Sequence, residues 1–416
     1  MTIRKTLSPL FLYSAIFALI ITWWSLAFRD SLRPISLTHQ KTLSFRNKSP
    51  SLLASLSPLK RNMLHSALSG DKALMAKMIA DWDVDAQLLS VAGHSTVKRL
   101  PRHMFLRSQV LGRQLTAGSS DDRTELNRCA HVEHVVDDIG TEIRLSHAID
   151  RFIPQTYASA SFLLALADAK QIIALPQGLR SQTALFPKQL TDKIPLDIDR
   201  YNSETLFLAH PHTAFVASYS HPALVNALQD QGVQLFTLTN LDSVSDIQKA
   251  LIRIGHTINR SMEAELLSLF MESAMLALDN RILALKDALV DHALPRTLFV
   301  NYHTQFTIPT KLTMTGHLLE RLGVAQPSFA TSRHEWTIPI DHEQIANFNP
   351  FCMIIAAGER KALGSELNNW PALAHVSAVQ EGRVVFVDDA IQQFPSQYVV
   401  LAYYDLFSAI AQACLL

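Results

Sequence analysis

The side chains in this sequence best suited to chemistry are phenols and imidazoles in loops that follow short apolar runs. Thr156 and Tyr157 come after RFIP, Gly178 to Arg180 after IIALP, Tyr219 to His221 after TAFVAS, Tyr302 to Thr304 at the end of TLFVNY, and Gln392 to Phe394 after VVFVDD. Aromatic rings provide contact area at low entropic cost, while hydroxyl, guanidinium and amide groups orient what the rings hold. Thr156, Tyr157, Arg180, Tyr219, His221, Tyr302, His303 and Gln393 are therefore the expected contact set for a bulky, partly apolar small molecule. No G-x-S-x-G elbow, phosphate-cradling glycine loop or H-E-x-x-H pair is present, and there are only 13 glycines in the chain. The pattern points to binding and away from those catalytic chemistries, with no catalytic residue and no resident metal assigned.

Two further groups invite chemistry and have blander readings. Asp81, Asp83 and Asp85 in DWDVDA look like a fragment of a calcium loop, but the glycine and the distal glutamate are missing, so a solvated turn is expected. The three cysteines, Cys129, Cys352 and Cys414, lack metal-ligand spacing. Cys352 lies in the apolar run FCMIIAAG and reads as a buried thiol, while a Cys129 to Cys414 bridge is open in an oxidising compartment.

Positioning these loops requires a large scaffold. At 416 residues, with 48% hydrophobic and 18% charged residues and a formal net charge of zero, the chain supports two or three structural units and gives no footprint for nucleic acid. Its organising element is SMEAELLSLFMESAMLALDNRILALKDALVDHA, Ser261 to Ala293, in which Met262, Leu266, Phe270, Ala274, Leu278, Ile282, Leu285 and Leu289 recur at helical steps of three and four. Ser261 is placed to cap it, Glu263 and Glu265 suit its first turn, and Pro295 follows its end. Such a helix spans about 50 Å, enough for a strut between two lobes.

On either side of it the pattern alternates between strand and helix. HVEHVVDDIGTEIRL reads as a hairpin, and βαβ units continue from RFIPQTYASASFLLALADAKQIIAL through DSVSDIQKALIRIGHTIN. After the strut, TLFVNY, MTGHLLERLG, DHEQIANF, CMIIAAG, GRVVFVDD and a closing helix SQYVVLAYYDLFSAIAQACL repeat the alternation. The expected fold is α/β: two Rossmann-like lobes with mostly parallel sheets joined by one long backbone helix, with a ligand cleft at the strand ends between them. Residues 130–258 form the first lobe, 259–293 the backbone helix and 294–416 the second lobe.

Upstream, Leu7 to Phe28 is uncharged, follows Arg4 and Lys5, and is long enough to cross a bilayer. Residues 1–28 are either a signal peptide, with Ser25 and Ala27 as small residues for cleavage, or a retained membrane anchor with Trp23 and Trp24 at its boundary. Residues 29–129 read as an N-terminal extension, a small helical cap or a partly ordered spacer.

From about Val135 to the C-terminus, the ordered series DDIGTEIRL, RFIPQTYASASFLLAL, NSETLFLAHPHTAFVAS, SYSHPALVNALQDQGVQLFTL, the long helix, TLFVNYHTQ, DHEQIANFNPFCMIIAAG and WPALAHVSAVQEGRVVFVDDA resembles the helical-backbone substrate-binding proteins of ABC importers. These proteins take up cobalamin, ferric siderophores and haem. The resemblance implies a periplasmic, secreted or inner-membrane-anchored receptor that delivers its ligand to an ABC-transporter permease. The transported iron-chelate, haem or cobalamin would be the only cofactor-like group. Haem is one candidate, since Tyr157, Tyr219, His221 and His303 can each supply an axial bond. The resemblance also carries the family's two permease-docking glutamates to Glu204 in RYNSETLF and Glu343 in DHEQIANF. This sequence departs from the family in its N-terminal extension, in lacking a lipobox cysteine, and in His210 and His212, where Lys and Asp more often flank the same proline. A metal- or tetrapyrrole-handling enzyme such as a chelatase, built from similar lobes, is the alternative; turnover of a tetrapyrrole would distinguish it from stoichiometric binding.

Overall fold

The computed structural model describes residues 61–91, 96–117, 134–145, 150–198, 203–220, 222–239, 241–289, 291–324, 326–327, 335–358, 367 and 370–415. It begins with three helices, α1 (Arg61–Leu68), α2 (Lys72–Val91) and α3 (Arg102–Ala117). The hairpin β1 (His134–Val136) and β2 (Glu142–Arg144) follows, antiparallel about a turn at Gly140. The first lobe then runs β3 (Phe152–Pro154), α4 (Tyr157–Leu166), β4 (Ala174–Pro176), β5 (Leu196–Ile198), α5 (Ser203–Leu208), β6 (Thr213–Ala217), α6 (Pro222–Asp230), β7 (Gln234–Leu238) and α7 (Val244–Thr257). The strut is α8 (Ser261–Ala288). The second lobe comprises β8 (Thr297–Tyr302), β9 (Phe306–Pro309), α9 (Met314–Leu322), β10 (Thr337–Pro339), α10 (His342–Phe348), β11 (Cys352–Ala356), β12 (Val384–Val387), α11 (Asp389–Gln393) and α12 (Val399–Leu415).

Strands of the first lobe are parallel in the order β3-β6-β7, and the parallel pair β4-β5 joins at β3 through a Phe152–Ile172 bridge. The second sheet has the order β10-β9-β8-β11-β12. Its β8-β11-β12 half matches β3-β6-β7, but β9 and β10 are antiparallel, so this sheet is mixed. The β8-β9 hairpin was absent from the sequence reading because its turn, His303 to Gln305, lacks the Gly, Asn or Asp that usually marks one. Central strands are buried on both faces: Phe299 and Ile354 point into the core shared with the strut, while Leu298, Val300, Met353 and Ile355 fill the outer face. This is why they read as continuous apolar runs without alternation.

The strut differs from its expected form in two ways. It ends at Ala288, five residues short of Ala293, with Leu289 as its extended cap. Arg260, with no capping side chain, stands at its start, and the Ser261 hydroxyl is engaged instead with His256 Nδ1 at 2.8 Å. It is also buried over most of its circumference, Glu263, Ser273, Asp279, Asn280 and Arg281 included, leaving a partly exposed stripe at Glu265, Ser268, Glu272 and Leu276. The extension is the cause. Helices α2 and α3 form a layer on the strut, placing Trp82 against Phe270 at 5.3 Å between ring centroids, and one continuous core runs through Leu64, Trp82, Phe162, Phe270, Phe299 and Tyr403.

DWDVDA is consequently not a turn. It lies inside α2, where Trp82 and Ala86 are buried while Asp83 accepts from Arg99 at 3.1 Å. Burial raises the Asp85 carboxyl, and the Arg281 charge partly opposes that rise. Leu7 to Phe28 and Cys129 lie outside the described residues, and no described helix is long and apolar enough to cross a membrane. Cys352 and Cys414 are free and buried, and burial pushes their thiols up to about 12 and about 11.

Candidate functional site

The described members of the expected contact set lie at or just beyond the carboxyl ends of β3, β4, β6, β8 and β12, the rim where open parallel sheets hold ligands. Tyr157 opens α4 directly after β3. Its half-buried ring meets Phe394, at the end of α11 in the other lobe, edge to face at 4.7 Å between centroids. The Tyr157 hydroxyl donates to the Gln177 carbonyl at 3.0 Å, and burial raises its pKa. Gly178 is required here, because its φ is +81° and a Cβ would lie 2.7 Å from that hydroxyl. Beyond Phe394, the Gln393 amide Nε2 lies 3.1 Å from His303 Nε2, so the unprotonated ring nitrogen accepts the bond. Next to His303, the half-buried Tyr302 ring packs on Phe306 at 4.8 Å and near Trp370 at 6.2 Å. The structure thus brings Gly178 and Tyr157 of the first lobe against Phe394 of the second, with Gln393 and His303 beside it, whereas the Tyr302 ring packs into the outer-face cluster of the second sheet.

Three other expected contacts stand differently. Thr156 is buried as the N-cap of α4, its hydroxyl accepting from Ser159 N at 3.1 Å in a reciprocal capping box. Arg180 faces inward: its guanidinium donates to Asp197 at 2.8 Å and to the carbonyls of Thr191 and Ile194 at 2.7 and 2.5 Å, fastening β5 to its lobe. Sequence reasoning had no means of pairing it with Asp197. Tyr219 is 80% exposed on the turn after β6, while His221 lies outside the described residues.

Sequence reasoning also overlooked the glutamines under this rim. Gln155 Nε2 and Gln392 Oε1 are buried and have no hydrogen-bond partner among the described residues. Such groups are costly unless a water or ligand completes them. A separate groove of about 820 Å³ lies away from the seam, lined by Met104, Lys249 and Glu272 among others, beside the Arg253–Asp138 ion pair that ties the hairpin to α7.

Glu204 and Glu343 are both exposed in the first turn of their helices, α5 and α10. The two segments end alike. His210 and Asn349 are non-glycine residues at φ 49° and 44°, each followed by a proline and then by a strand, β6 or β11, that is paired in parallel on both sides. Asn and His tolerate that left-handed geometry better than most side chains.

A family model for periplasmic binding proteins matches residues 157–391. Among solved structures, a possible iron-binding (periplasmic solute-binding) protein from Staphylococcus epidermidis aligns at TM-score 0.53 and 17% identity, covering 63% of this chain and 98% of its own. A periplasmic heme-binding protein from Roseiflexus aligns at 0.52 and 15%, covering 64% of this chain and 99% of its own. Another periplasmic heme-binding protein, from Pseudomonas aeruginosa, aligns at 0.51 and 19%, covering 63% and 92%. No curated protein matches. With more than half its length matched by the family model, on a fold shared with these solute-binding structures, the chain belongs to the periplasmic binding protein family.

Proposed function

We propose that the chain is the capture component of an ABC importer, holding an iron-siderophore, haem or cobalamin-type ligand at the seam between its lobes and delivering it to a membrane permease. Family membership supports a solute-binding role in an extracytoplasmic location. The observation that carries the reading is the Tyr157–Phe394 ring pair across the two lobes at the strand ends, with His303 exposed beside it. Rings from opposing lobes suit a large flat or partly apolar guest, and the His303 imidazole, held by one amide, is free to reorient toward a metal. Heme-binding proteins among the similar solved structures favour testing haem first. Tyr219 is the exposed phenol that joins them if α6 closes over the guest, and Thr156 and Arg180 act by shaping the rim. Leu7 to Phe28 exports the chain and is either removed or kept as an anchor, and Glu204 with Glu343 engages the permease.

A thermal-shift panel of hemin, ferric siderophores and cobalamin tests this, because a ligand that binds the folded state raises its melting temperature by mass action. Hemin is read independently by its Soret band. One member of the panel is expected to shift the transition at micromolar concentration, and a flat response to every member would refute the reading.

A further inference from the structure

The extension lies outside residues 157–391, the stretch matched by the family model, and two of its helices are apolar on opposite sides. Met75, Ile79 and Trp82 on α2 are buried toward the strut, whereas Val84, Leu88 and Val91 recur at steps of four and three on the far side and are 54%, 62% and 87% exposed. On α3, Leu111 and Leu115 are buried, and Leu106 and Val110 on the far side are 49% and 46% exposed. The helices run side by side, with Gln109 Nε2 donating to the Ala76 carbonyl at 3.1 Å, so both stripes share one outward face. These five are half of the ten most exposed large apolar side chains among the described residues. A contiguous patch of this kind marks an interaction surface.

Its charge indicates what it meets. α3 carries Arg102, His103, Arg107 and Arg113 and no carboxylate. Arg107 pairs with Glu265 at 2.6 Å, while Arg102 and Arg113 are exposed beside the apolar stripe. On α2, Asp83 is held by Arg99, and the exposed Lys77 and Asp81 offset each other. An apolar stripe with a basic rim is complementary to the phosphates and upper acyl region of an anionic bilayer. Two copies meeting through α3 would instead set these arginines against one another. The chain also reaches α1 from 60 upstream residues that include the uncharged run Leu7 to Phe28. We infer that the outward face of the α2–α3 hairpin is a peripheral membrane-binding surface, seating Leu88, Val91, Leu106 and Val110 among anionic headgroups with Arg102 and Arg113 against the phosphates.

The full chain carrying Cys129→Ser provides the test, with an environment-sensitive fluorophore at Leu88→Cys or Val110→Cys and, for reference, at Leu208→Cys, which is 76% exposed on the first lobe. Buried Cys352 and Cys414 are expected to escape labelling. Vesicles of phosphatidylcholine, with and without phosphatidylglycerol, carry a lipid-borne quencher. Quenching at positions 88 and 110 but not at 208, dependent on phosphatidylglycerol, is expected. Arg102→Glu with Arg113→Glu should weaken it by more than the about fivefold that each lost basic residue costs at an anionic surface. Labels at 88 and 110 that stay as unquenched as the one at 208 would overturn the inference. So would concentration-dependent shielding without vesicles, which would mean a second copy, or shielding only with permease present, which would mean a protein partner.

Discussion

Among the described residues the two lobes meet at the cleft seam and at the rear, and the two contacts are built differently. At the seam, one half-buried ring pair crosses between the lobes, Tyr157 on Phe394, and beside it the exposed Gln393 bonds the exposed His303 within the second lobe. At the rear, α1 is wedged between the lobes. Arg61 holds Asp405 of α12 at 2.8 Å, His65 bonds the Leu185 carbonyl of the first lobe at 2.8 Å, and Ser69 bonds the Tyr398 hydroxyl at 3.0 Å. Gln397 donates to Leu68 and to Ser161, so one amide links the extension, α4 and α12. Gly70 fits at φ +107° only because it has no Cβ, which would lie 2.5 Å from the Ala165 carbonyl. Buried, fully packed contacts resist opening, whereas a single half-buried ring pair is cheaply replaced by a ligand. The comparison indicates that the extension concentrates rigidity at the rear and leaves the front for exchange.

The largest expected effects come from breaking the rear and the strut that supports it. Asp279 on α8 accepts from Lys98 at 2.9 Å, from Arg321 at 2.9 and 3.0 Å, and from the Tyr403 hydroxyl at 2.8 Å. Asp279→Ala leaves Arg321 and Tyr403 without their acceptor and should cost about 3–5 kcal/mol in a denaturant titration. Tyr398→Ala, which empties a fully buried ring site between His65 and Phe186, should cost about 3–5 kcal/mol as a large-to-small core change. A loss below that of Tyr157→Ala for either variant would reverse the ranking of rear and seam.

Acid should attack the same region. Burial alone would raise the Asp279 carboxyl, but Arg321, Lys98 and Tyr403 outweigh it and hold its pKa below the usual value. A depressed carboxylate adds stability above its unfolded value, near 3.9, and that stability fades as pH falls through the folded value. Burial also lowers the His65 pKa, more than its bond to Leu185 raises it. The unfolded chain then takes up a proton more readily below about 6.5, so His65 removes stability as pH drops through the mildly acidic range. Burial lowers the His256 pKa in the same direction, so stability measured from pH 8 to pH 3 should fall in two stages, with the upper stage reduced in His65→Gln and the lower one flattened in Asp279→Asn.

A smaller effect is expected at the seam. Tyr157→Ala with Tyr302→Ala should weaken ligand binding by about tenfold or more, equivalent to at least about 1.4 kcal/mol, while lowering stability less than the rear variants do. Unchanged affinity would remove the seam as the site. Glu204→Lys with Glu343→Lys lies on neither contact. At exposed first-turn positions it should shift stability within about ±0.5 kcal/mol and leave ligand affinity alone, yet abolish delivery, since rim charges govern orientation and association. Uptake at the parental rate would sink the docking role.

The front was more legible in sequence than the rear, for physical reasons. Strand-end loops declare themselves through apolar runs followed by Tyr, His or Gly, and the matching His210-Pro211 and Asn349-Pro350 turns made the lobes comparable before any coordinates. The extension gave no such signal. α2 is apolar on both faces, which blurs the helical period, and the three aspartates of DWDVDA drew attention from the buried Trp82 between them. Arg180 shows the limit at the site itself: a guanidinium in a rim loop looks like a ligand group until Asp197 and two carbonyls are found holding it.

The smallest expected effect follows from the same contrast. If the seam alone joined the lobes, ligand would be free to swing them about the strut, and free and loaded protein would scatter differently. The strut, about 42 Å long at 1.5 Å per residue, bends only by breaking backbone hydrogen bonds, and α1 adds a second tie behind it. Opening the cleft widely would have to separate α1 from one lobe or the other, at Arg61–Asp405 or at His65–Leu185, and in either case break the direct Gln397–Ser161 bond. Small-angle scattering profiles with and without ligand should therefore nearly superimpose, and hydrogen exchange should report change in the loops around Tyr157 and His303 while α1 stays protected. Deleting the α1 contacts with Arg61→Ala and Ser69→Ala should then make a domain rotation visible. A wide rotation in the unaltered chain would show that the rear contact opens as readily as the seam.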